Sequence, residues 1–295
     1  MIEFKHIEIS DKIWIDELLK YSDYRGAEYC FTNLFIWAGI YKSKIARYKD
    51  FLLLKTGEGE TTHYLYPAGK GDKKEVIEYL INDAKDRGVK FEFIGVSSQT
   101  KTELTELFPD RFEYKAVRDS FDYVYESDKL ISLSGKKLQS KRNHINRFKE
   151  QLNWQYEELT EDKLPEVIAF NTKWCKSIDC YMSESLDKEA CAVAKCLANY
   201  PNLGLRGGIL RLNGEIVAYT IGEPINSDTV IIHIEKAFAD VRGAYPMINR
   251  EFAERVAGNY KYVNREDDAG DAGLRQAKES YYPLFMQEKY AAILF

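Results

Sequence analysis

Apolar residues recur along the first 126 positions at both helical and strand spacings. A spacing of three to four residues predicts helices over 11–21, 32–41, 73–87 and 101–107. Short runs rich in aromatic and β-branched residues predict strands over 50–56, 62–66, 90–96, 111–114 and 121–126. The glycine-rich turn at 57–59 predicts a hairpin between the first two strands. This half of the chain therefore reads as a mixed α/β unit.

The second half has a different order of elements. Helices are predicted over 136–151, 161–176, 185–200, 242–259 and 271–280. Strands are predicted over 154–158, 204–212, 215–223, 230–236, 261–263 and 285–294. Asn213-Gly214 lies between two apolar runs, which is the strongest short signal for a hairpin. The order predicts an α+β arrangement, a mostly antiparallel sheet with helices on its faces.

Length and charge set the organisation and limit the function. A chain of 295 residues is long enough for two domains, predicted here as 1–128 and 129–295. With 45% hydrophobic and 30% charged residues, the composition is typical of a soluble globular protein. The net charge of −5 excludes a general nucleic-acid coat, because non-specific phosphate binding relies on cations. Nucleic acid would need a local basic patch.

The N-terminus and the cysteines bear on compartment and metal binding. No secretory signal is visible and no run of 18 apolar residues occurs, so we expect a cytoplasmic protein without membrane spans. Four of the five cysteines are spaced C-x4-C-x10-C-x4-C, from Cys175 to Cys196, wider than most structural zinc sites. An i,i+5 pair on a helix points in divergent directions. We therefore predict buried, reduced thiols and no metal.

A strongly basic helix is predicted from Lys136 to Glu150. It carries six cations against one acid, and its apolar stripe includes Leu138, Ile145 and Phe148. Arg142 lies beside that stripe, so its charge needs a fixed partner. The partner could be a ligand phosphate or carboxylate, or an internal acid on an otherwise solvated helix.

A second charged segment runs from Asn264 to Pro283. Three adjacent carboxylates at 266–268 precede Asp271, a good helix N-cap, and the helix then places Arg275 and Lys278 three residues apart. Such a segment could hold an anionic ligand at the helix start or a cationic amine at the acidic turn. A capped surface helix fits the same pattern.

Two weaker signals lie between these segments. His233 and Glu235 are two apart on one strand and so face the same way, as a general acid–base pair would. Arg242-Gly243 at a strand-to-helix junction partly matches the pyrophosphate cradle of acyl-CoA enzymes. Pro246 removes an N–H donor from that cradle, which argues against an ordinary acetyl-CoA enzyme.

Three stretches carry a family resemblance. They are FTNLFIW at 31–37, LSGKKLQSKRNHINRF at 133–148, and NREDDAGDAGLRQAK at 264–278 running on to Tyr281 and Pro283. With them, essentially the whole chain resembles the phosphatidylglycerol lysyltransferase C-terminal-like family, which has two tandem GNAT-type domains. Better-known members transfer an amino acid from aminoacyl-tRNA to a lipid head group. Related Fem-type enzymes transfer one to a peptidoglycan precursor.

The resemblance implies a fold of two tandem GNAT-like domains and a catalytic groove in the second. The groove would be built by the basic helix, the strands near His233 and Glu235, and the 264–283 segment. Its implied substrate-binding residues are Lys137, Arg142, Asn143, Asn146, His233, Asn264, Arg275 and Lys278. Catalytic roles fall to Glu235, Asp267 and Tyr281, and Arg242 and Gly243 are the candidates for contact with acyl-CoA.

The leading hypothesis is transfer of an aminoacyl group to an amine or hydroxyl. The donor would be aminoacyl-tRNA, held through the basic helix, and the acceptor a small molecule, peptide or lipid head group. Direct attack within a ternary complex needs no metal and no cofactor. The alternatives are an N-acyltransferase that uses acyl-CoA as donor and a catalytically silent double-GNAT binding module.

Overall fold

The computed structural model describes residues 1–151, 153–180 and 183–295. Contacts divide the chain into two compact units. Unit 1 comprises residues 1–122, 267–272 and 286–295, and unit 2 comprises residues 123–266 and 273–285. These units differ from the predicted 1–128 and 129–295 in that two C-terminal segments belong to the first unit.

Unit 1 is built on a mixed sheet covered by helices. Its strands are β1 (Lys5–His6), β2 (Lys44–Tyr48), β3 (Phe51–Thr56), β4 (His63–Leu65), β5 (Ala68–Gly69), β6 (Glu92–Val96) and β7 (Phe112–Ala116). Its helices are α1 (Lys12–Ser22), α2 (Phe31–Ile36), α3 (Ala38–Tyr41), α4 (Lys73–Arg87) and α5 (Ser98–Leu107). The predicted hairpin is confirmed, because β3 and β4 pair in antiparallel fashion.

Local sequence explains where the helices of unit 1 begin and end. Asp72 caps α4 by accepting a hydrogen bond from the Glu75 N–H, and Gly88 ends the helix in the left-handed region. Ser97 caps α5 in the same way through Thr100. The single helix predicted over 32–41 is two short helices, because the chain bends at Trp37.

The second sheet contains seven strands. They are β8 (Asp122–Glu126), β9 (Trp154–Glu158), β10 (Arg206–Leu212), β11 (Glu215–Pro224), β12 (Thr229–Ala237), β13 (Tyr262–Asn264) and β14 (Phe285–Gln287), in the order β14-β8-β13-β12-β11-β10-β9. Its helices are α6 (Ser127–Ser132), α7 (Gln139–Lys149), α8 (Leu164–Ser177), α9 (Glu184–Leu203), α10 (Ala244–Phe252) and α11 (Ala272–Glu279). A π-helical turn, Ala253–Ala257, follows α10.

The hairpin predicted at Asn213-Gly214 is confirmed. Both residues have positive φ, as a two-residue turn between right-twisted strands requires, and Leu212 pairs with Glu215. The closing strand predicted over 285–294 is instead two strands, β14 and β15 (Tyr290–Leu294), with β15 lying between β6 and β7 in the first sheet. Apolar alternation alone does not show which sheet such a strand joins.

The cysteines correct one prediction. Cys175 and Cys180 form a disulfide, with their Cα atoms 5.1 Å apart, and Cys191 is exposed. The expectation of four buried free thiols treated the i,i+5 pair as helical, but α8 ends at Ser177 and the chain turns before Cys180. Cys196 is buried and outside the disulfide, as predicted, and Cys30 is also buried and outside it. Among the described helices, none combines the length and apolarity needed to cross a bilayer.

Candidate active site

A polar cluster occupies the place in unit 2 where two parallel strands separate. Strands β12 and β13 pair over only three residues, ending at Ile231 and Asn264. Strand β12 continues six residues further, and its side of the gap carries His233 and Glu235. The chain leaving β13 carries Arg265 and Glu266. Polar side chains thus bridge a gap that backbone pairing leaves open.

Arg265 is the central cation of this cluster. Its Nη2 donates to Glu235 Oε1 at 2.8 Å, and the two side chains are each 11% exposed. Burial opposes the charge, but Glu235 and the neighbouring tyrosines raise the pKa of the guanidinium, so it stays protonated. Its Nη1 is buried and has no hydrogen-bond partner. An unsatisfied charged donor is costly, so its retention indicates a ligand group.

Tyr281 is shared by two cations. The Arg265 guanidinium lies 4.8 Å from the ring centroid and Lys141 Nζ lies 4.2 Å from it. Burial, together with the charge on Arg265, lowers the pKa of Lys141. Burial raises the pKa of the Tyr281 phenol, so this ring remains neutral and is a weak acid. The arrangement concentrates positive charge against an aromatic wall.

The C-terminal motif is tied to strand β8 beneath this cluster. Lys278 Nζ donates to the Arg265 carbonyl oxygen at 2.7 Å, and the Tyr125 hydroxyl donates to the Lys278 carbonyl oxygen at 2.8 Å. Lys278 is itself only 8% exposed. Its ammonium group therefore holds the backbone that presents Arg265.

His233 forms a separate, closed arrangement. Its Nδ1 lies 2.9 Å from Glu266 Oε1 and its Nε2 lies 3.1 Å from Glu223 Oε1, and the ring is 1% exposed. Burial works against a charged ring, but the two carboxylates outweigh it and raise the pKa of His233 to about 9. At neutral pH this histidine is therefore a buried cation with both nitrogens occupied. It and Glu235 share a strand face as predicted but have different partners.

Helix α7 separates structural cations from exposed ones. Arg142 Nη1 donates to the carbonyl oxygens of Leu133 and Gly135, so the fixed partner predicted for it is the backbone of the preceding loop. The side chains of Lys137, Asn143 and Asn146 are exposed. Lys137 Nζ lies 5.1 Å from the Tyr282 ring centroid.

The exposed side of α7 is strongly electropositive. Burial lowers the pKa of His144, and the charges of Arg242, Lys141 and Arg147 lower it further. Arg242, Lys141 and Arg147 thus lie close enough to His144 for their charges to act on it. This is the kind of local basic patch that nucleic-acid contact requires.

Gly243 packs against α7 rather than standing free at a ligand-binding turn. A Cβ at this position would lie 2.5 Å from the His144 carbonyl oxygen, and φ is +89°. The Ala244 N–H donates to the Val241 carbonyl and the Met247 N–H to the Gly243 carbonyl. With Pro246 lacking an N–H, little of a pyrophosphate cradle is left here.

The other predicted site residues lie on the C-terminal segment. Asn264 is fully buried and accepts a hydrogen bond from the Glu266 N–H at 2.7 Å. Arg275 is partly exposed on α11. Asp267 belongs to unit 1, where its Oδ1 accepts from the Ala269 N–H at 3.1 Å. The structure therefore groups Glu235, Lys278 and Tyr281 around Arg265, and leaves Asp267 in the other unit.

Comparison with known proteins places this geometry in a family. The family described as "Phosphatidylglycerol lysyltransferase, C-terminal" matches residues 19–293. The chain belongs to this family. A conserved protein of unknown function from Bacteroides thetaiotaomicron VPI-5482 is 42% identical, with a TM-score of 0.95 over 100% of both chains.

Two more distant structures share the fold. L-PGS from Bacillus licheniformis is 16% identical with a TM-score of 0.66, covering 95% of this chain and 90% of that one. FemX is 10% identical with a TM-score of 0.64, covering 99% and 98%. The predicted α+β fold of two tandem GNAT-like domains is thereby confirmed, as is the predicted family.

The two residues at the centre of the cluster were not among the predicted site residues. Arg265 lies within the 264–278 motif, and Lys141 is one of the six cations of the basic helix. The signal that could have found Arg265 is its position directly after a short buried strand, beside three carboxylates. Tyr125, Glu223 and Glu266 gave no comparable signal, since their roles depend on which strands are neighbours.

Proposed function

We propose that the protein is an aminoacyltransferase that moves an aminoacyl group from aminoacyl-tRNA to an amine or hydroxyl acceptor. The observation that carries this proposal is the buried Nη1 of Arg265, unpartnered and beside Lys141 at the ring of Tyr281. Membership of the phosphatidylglycerol lysyltransferase C-terminal family supports the same class of reaction.

The chemistry of aminoacyl transfer matches this arrangement. The acceptor atom attacks the ester carbonyl carbon, the bond to the ribose oxygen breaks, and a proton passes from the acceptor to that oxygen. Negative charge develops on the carbonyl oxygen and then on the leaving oxygen. In the proposal Arg265 Nη1 receives the first charge. Lys141 Nζ, whose pKa is lowered, takes the proton from the attacking acceptor and passes it to the ribose oxygen as that bond breaks.

Glu235 has a supporting part in this proposal. It accepts hydrogen bonds from Arg265 and from Asn249 Nδ2, the latter at 2.7 Å. Both of its oxygens are engaged, so in the proposal Glu235 holds the guanidinium in place and does not take the acceptor proton. Tyr281 provides the ring that orders both cations.

The choice of donor rests on two features of helix α7. Its exposed side carries Arg147 and Lys149, with Lys137 in the turn just before it, and this cationic surface favours a polyphosphate chain such as tRNA. Acyl-CoA is the alternative donor. It is less favoured because the turn at Gly243 is filled by the backbone of α7. The acceptor class, whether small molecule, peptide or lipid head group, is left open in the proposal.

A transfer assay with matched variants tests this proposal. Wild-type protein would be given tRNA charged with labelled amino acids, or labelled acyl-CoA, together with a panel of phosphatidylglycerol vesicles, peptides and small amines. We expect label to move from aminoacyl-tRNA only. Lys141→Ala should slow the transfer, whereas Lys149→Ala, which removes an exposed cation from the same helix, should not.

Three outcomes would contradict the proposal. Transfer from acyl-CoA alone would make the protein an N-acyltransferase. Binding of charged tRNA without transfer to any acceptor would favour a silent binding module. Equal activity of wild type and Arg265→Gln would show that the guanidinium is not part of the site.

A further inference from the structure

A polar cavity lies wholly within unit 1. It has a volume of about 250 Å³, and its lining includes Tyr24, Arg25, Glu28, Tyr29, Ser97 and Gln287. Pockets for drug-sized ligands measure roughly 300–1,000 Å³, so this one suits a smaller molecule, about the size of an amino acid. No residue of this cavity belongs to the cluster around Arg265.

The Glu28 carboxylate is the most constrained group in the lining. Its Oε2 lies 2.7 Å from Lys289 Nζ, which also donates to Asp122 Oδ1 at 2.7 Å. The Glu28 side chain is 20% exposed, while Lys289 and Asp122 are 8% and 0% exposed. Burial, and the charge of Asp122, raise the pKa of Glu28 against the opposing effect of Lys289. A carboxylate held in this state gains from a further cation.

Two glycines make room for the other oxygen of Glu28. A Cβ at Gly26 would lie 2.6 Å from Glu28 Oε1, and one at Gly95 would lie 2.9 Å from the same atom. The backbone of Gly26 has φ −65° and ψ 142°, which any residue adopts. Its lack of a side chain is therefore explained by the room needed around the carboxylate and not by the turn.

The charges around the cavity define the class of ligand. The lining itself carries two carboxylates, Asp23 and Glu28, and one cation, Arg25, so it has one negative charge in excess. We propose that this cavity binds a free amino acid or a similarly small amine, with its ammonium group on Glu28 Oε1. Arg25, also in the lining, supplies the counter-charge for the carboxylate of a zwitterion.

Three probes of similar size separate the charges in a binding test. They are L-alanine, which is zwitterionic, L-alaninamide, which is only cationic, and propionate, which is only anionic. Titration calorimetry on the full chain should show binding of L-alanine and L-alaninamide and none of propionate. L-Lysine and L-tryptophan then measure the size limit of the cavity.

Variants make the assignment specific. Glu28→Gln should weaken binding of the ammonium probes about tenfold or more, the value of one charge-assisted hydrogen bond. Gly26→Ala should also weaken that binding, because its Cβ would displace the Glu28 carboxylate while the backbone stays unstrained. Glu17→Gln, an exposed acid on α1, serves as the matched control.

Several results would overturn the inference. One is that wild type binds none of the ammonium probes. Another is that wild type and Glu28→Gln bind them with equal affinity. A third is that propionate binds as tightly as L-alaninamide. The test is independent of the proposed transfer reaction, since Arg265→Gln should retain the binding. Loss of transfer with retained binding, or the reverse, therefore distinguishes the failure of one proposal from that of the other.

Discussion

Two buried cations of unit 2, His233 and Arg265, are satisfied to different degrees. His233 has a carboxylate on each nitrogen, so every donor is used. Arg265 has one carboxylate, Glu235, and keeps a buried Nη1 with no hydrogen-bond partner. A cation with all donors paired stabilises the fold, whereas one with a donor in reserve can stabilise a ligand. The contrast supports a structural role for His233 and, within the proposal, contact with the reacting group for Arg265.

The largest effect is expected from Arg265→Gln. Removing one preorganised donor to a developing oxyanion typically costs about 10²- to 10³-fold in rate, and we expect transfer to fall by that factor. The single variant also leaves Glu235 buried without its cation, which costs about 3–5 kcal/mol of stability.

The double variant Arg265→Gln/Glu235→Gln separates these two effects. It removes both charges and keeps an oxygen acceptor for Asn249. Its free energy of unfolding should recover while transfer remains low. Recovery of activity together with stability would mean that Arg265 is only structural.

The second effect concerns pH and His233. Its pKa in the folded protein is about 9, against an ordinary value of 6.5. A raised folded pKa adds stability that is fully present below pH 6.5 and is lost as the pH rises through 9. The loss should be about 3 kcal/mol in chemical denaturation, and His233→Gln should lack this dependence. Titration of the imidazole by NMR gives a direct check, and a value near 6.5 would contradict the closed arrangement.

A smaller effect is expected from Lys141→Ala. Loss of one charged hydrogen bond to the reacting group should lower the transfer rate about tenfold. The pH–rate profile should also change, because the ammonium group with the lowered pKa has gone. Lys149→Ala is the control, and a similar loss there would point to general electrostatics of the helix.

The smallest effect is expected from Arg142→Ala. Its Nη1 donates to two backbone carbonyls of the loop after α6, so the variant should lose about 1–2 kcal/mol of stability. Chemical denaturation beside the exposed Arg147→Ala measures this. If Arg142→Ala slows transfer more than Lys141→Ala does and leaves stability unchanged, Arg142 binds the donor. That is the role predicted for it from its position beside the apolar stripe.

Local sequence predicted the elements well and the pairings poorly. The hairpin turn at Asn213-Gly214 and the end of α4 at Gly88 require positive φ, which few other residues adopt. Both could therefore be predicted from the sequence. The carboxylate partners of His233 lie 33 and 10 residues away in sequence, whereas those of Arg142 are carbonyls of the loop just before its helix. Helical spacing correctly placed Arg142 beside the buried stripe, but it could not show that its partner would be a carbonyl.

The candidate site shows the same limit. Lys278 and Tyr281 were selected through a family motif, and Glu235 through strand alternation, and all three lie around Arg265. Arg265 was not among the predicted site residues, although it lies directly after a short strand and beside three carboxylates. Its role depends on the gap between β12 and β13, where Arg265 Nη1 is buried without a hydrogen-bond partner. That gap is a feature of the folded sheet and not of the local sequence.

The contact at Gly243 sets how deeply the basic helix can lie. A single methyl group there would meet the His144 carbonyl at 2.5 Å, so any larger residue acts as a wedge under α7. Lys141 lies one turn before His144 on that helix and would be lifted away from the Tyr281 ring with it. The position of the Lys141 ammonium group therefore depends on Gly243. A substitution as small as Gly243→Ala would change the distance between Lys141 and Arg265.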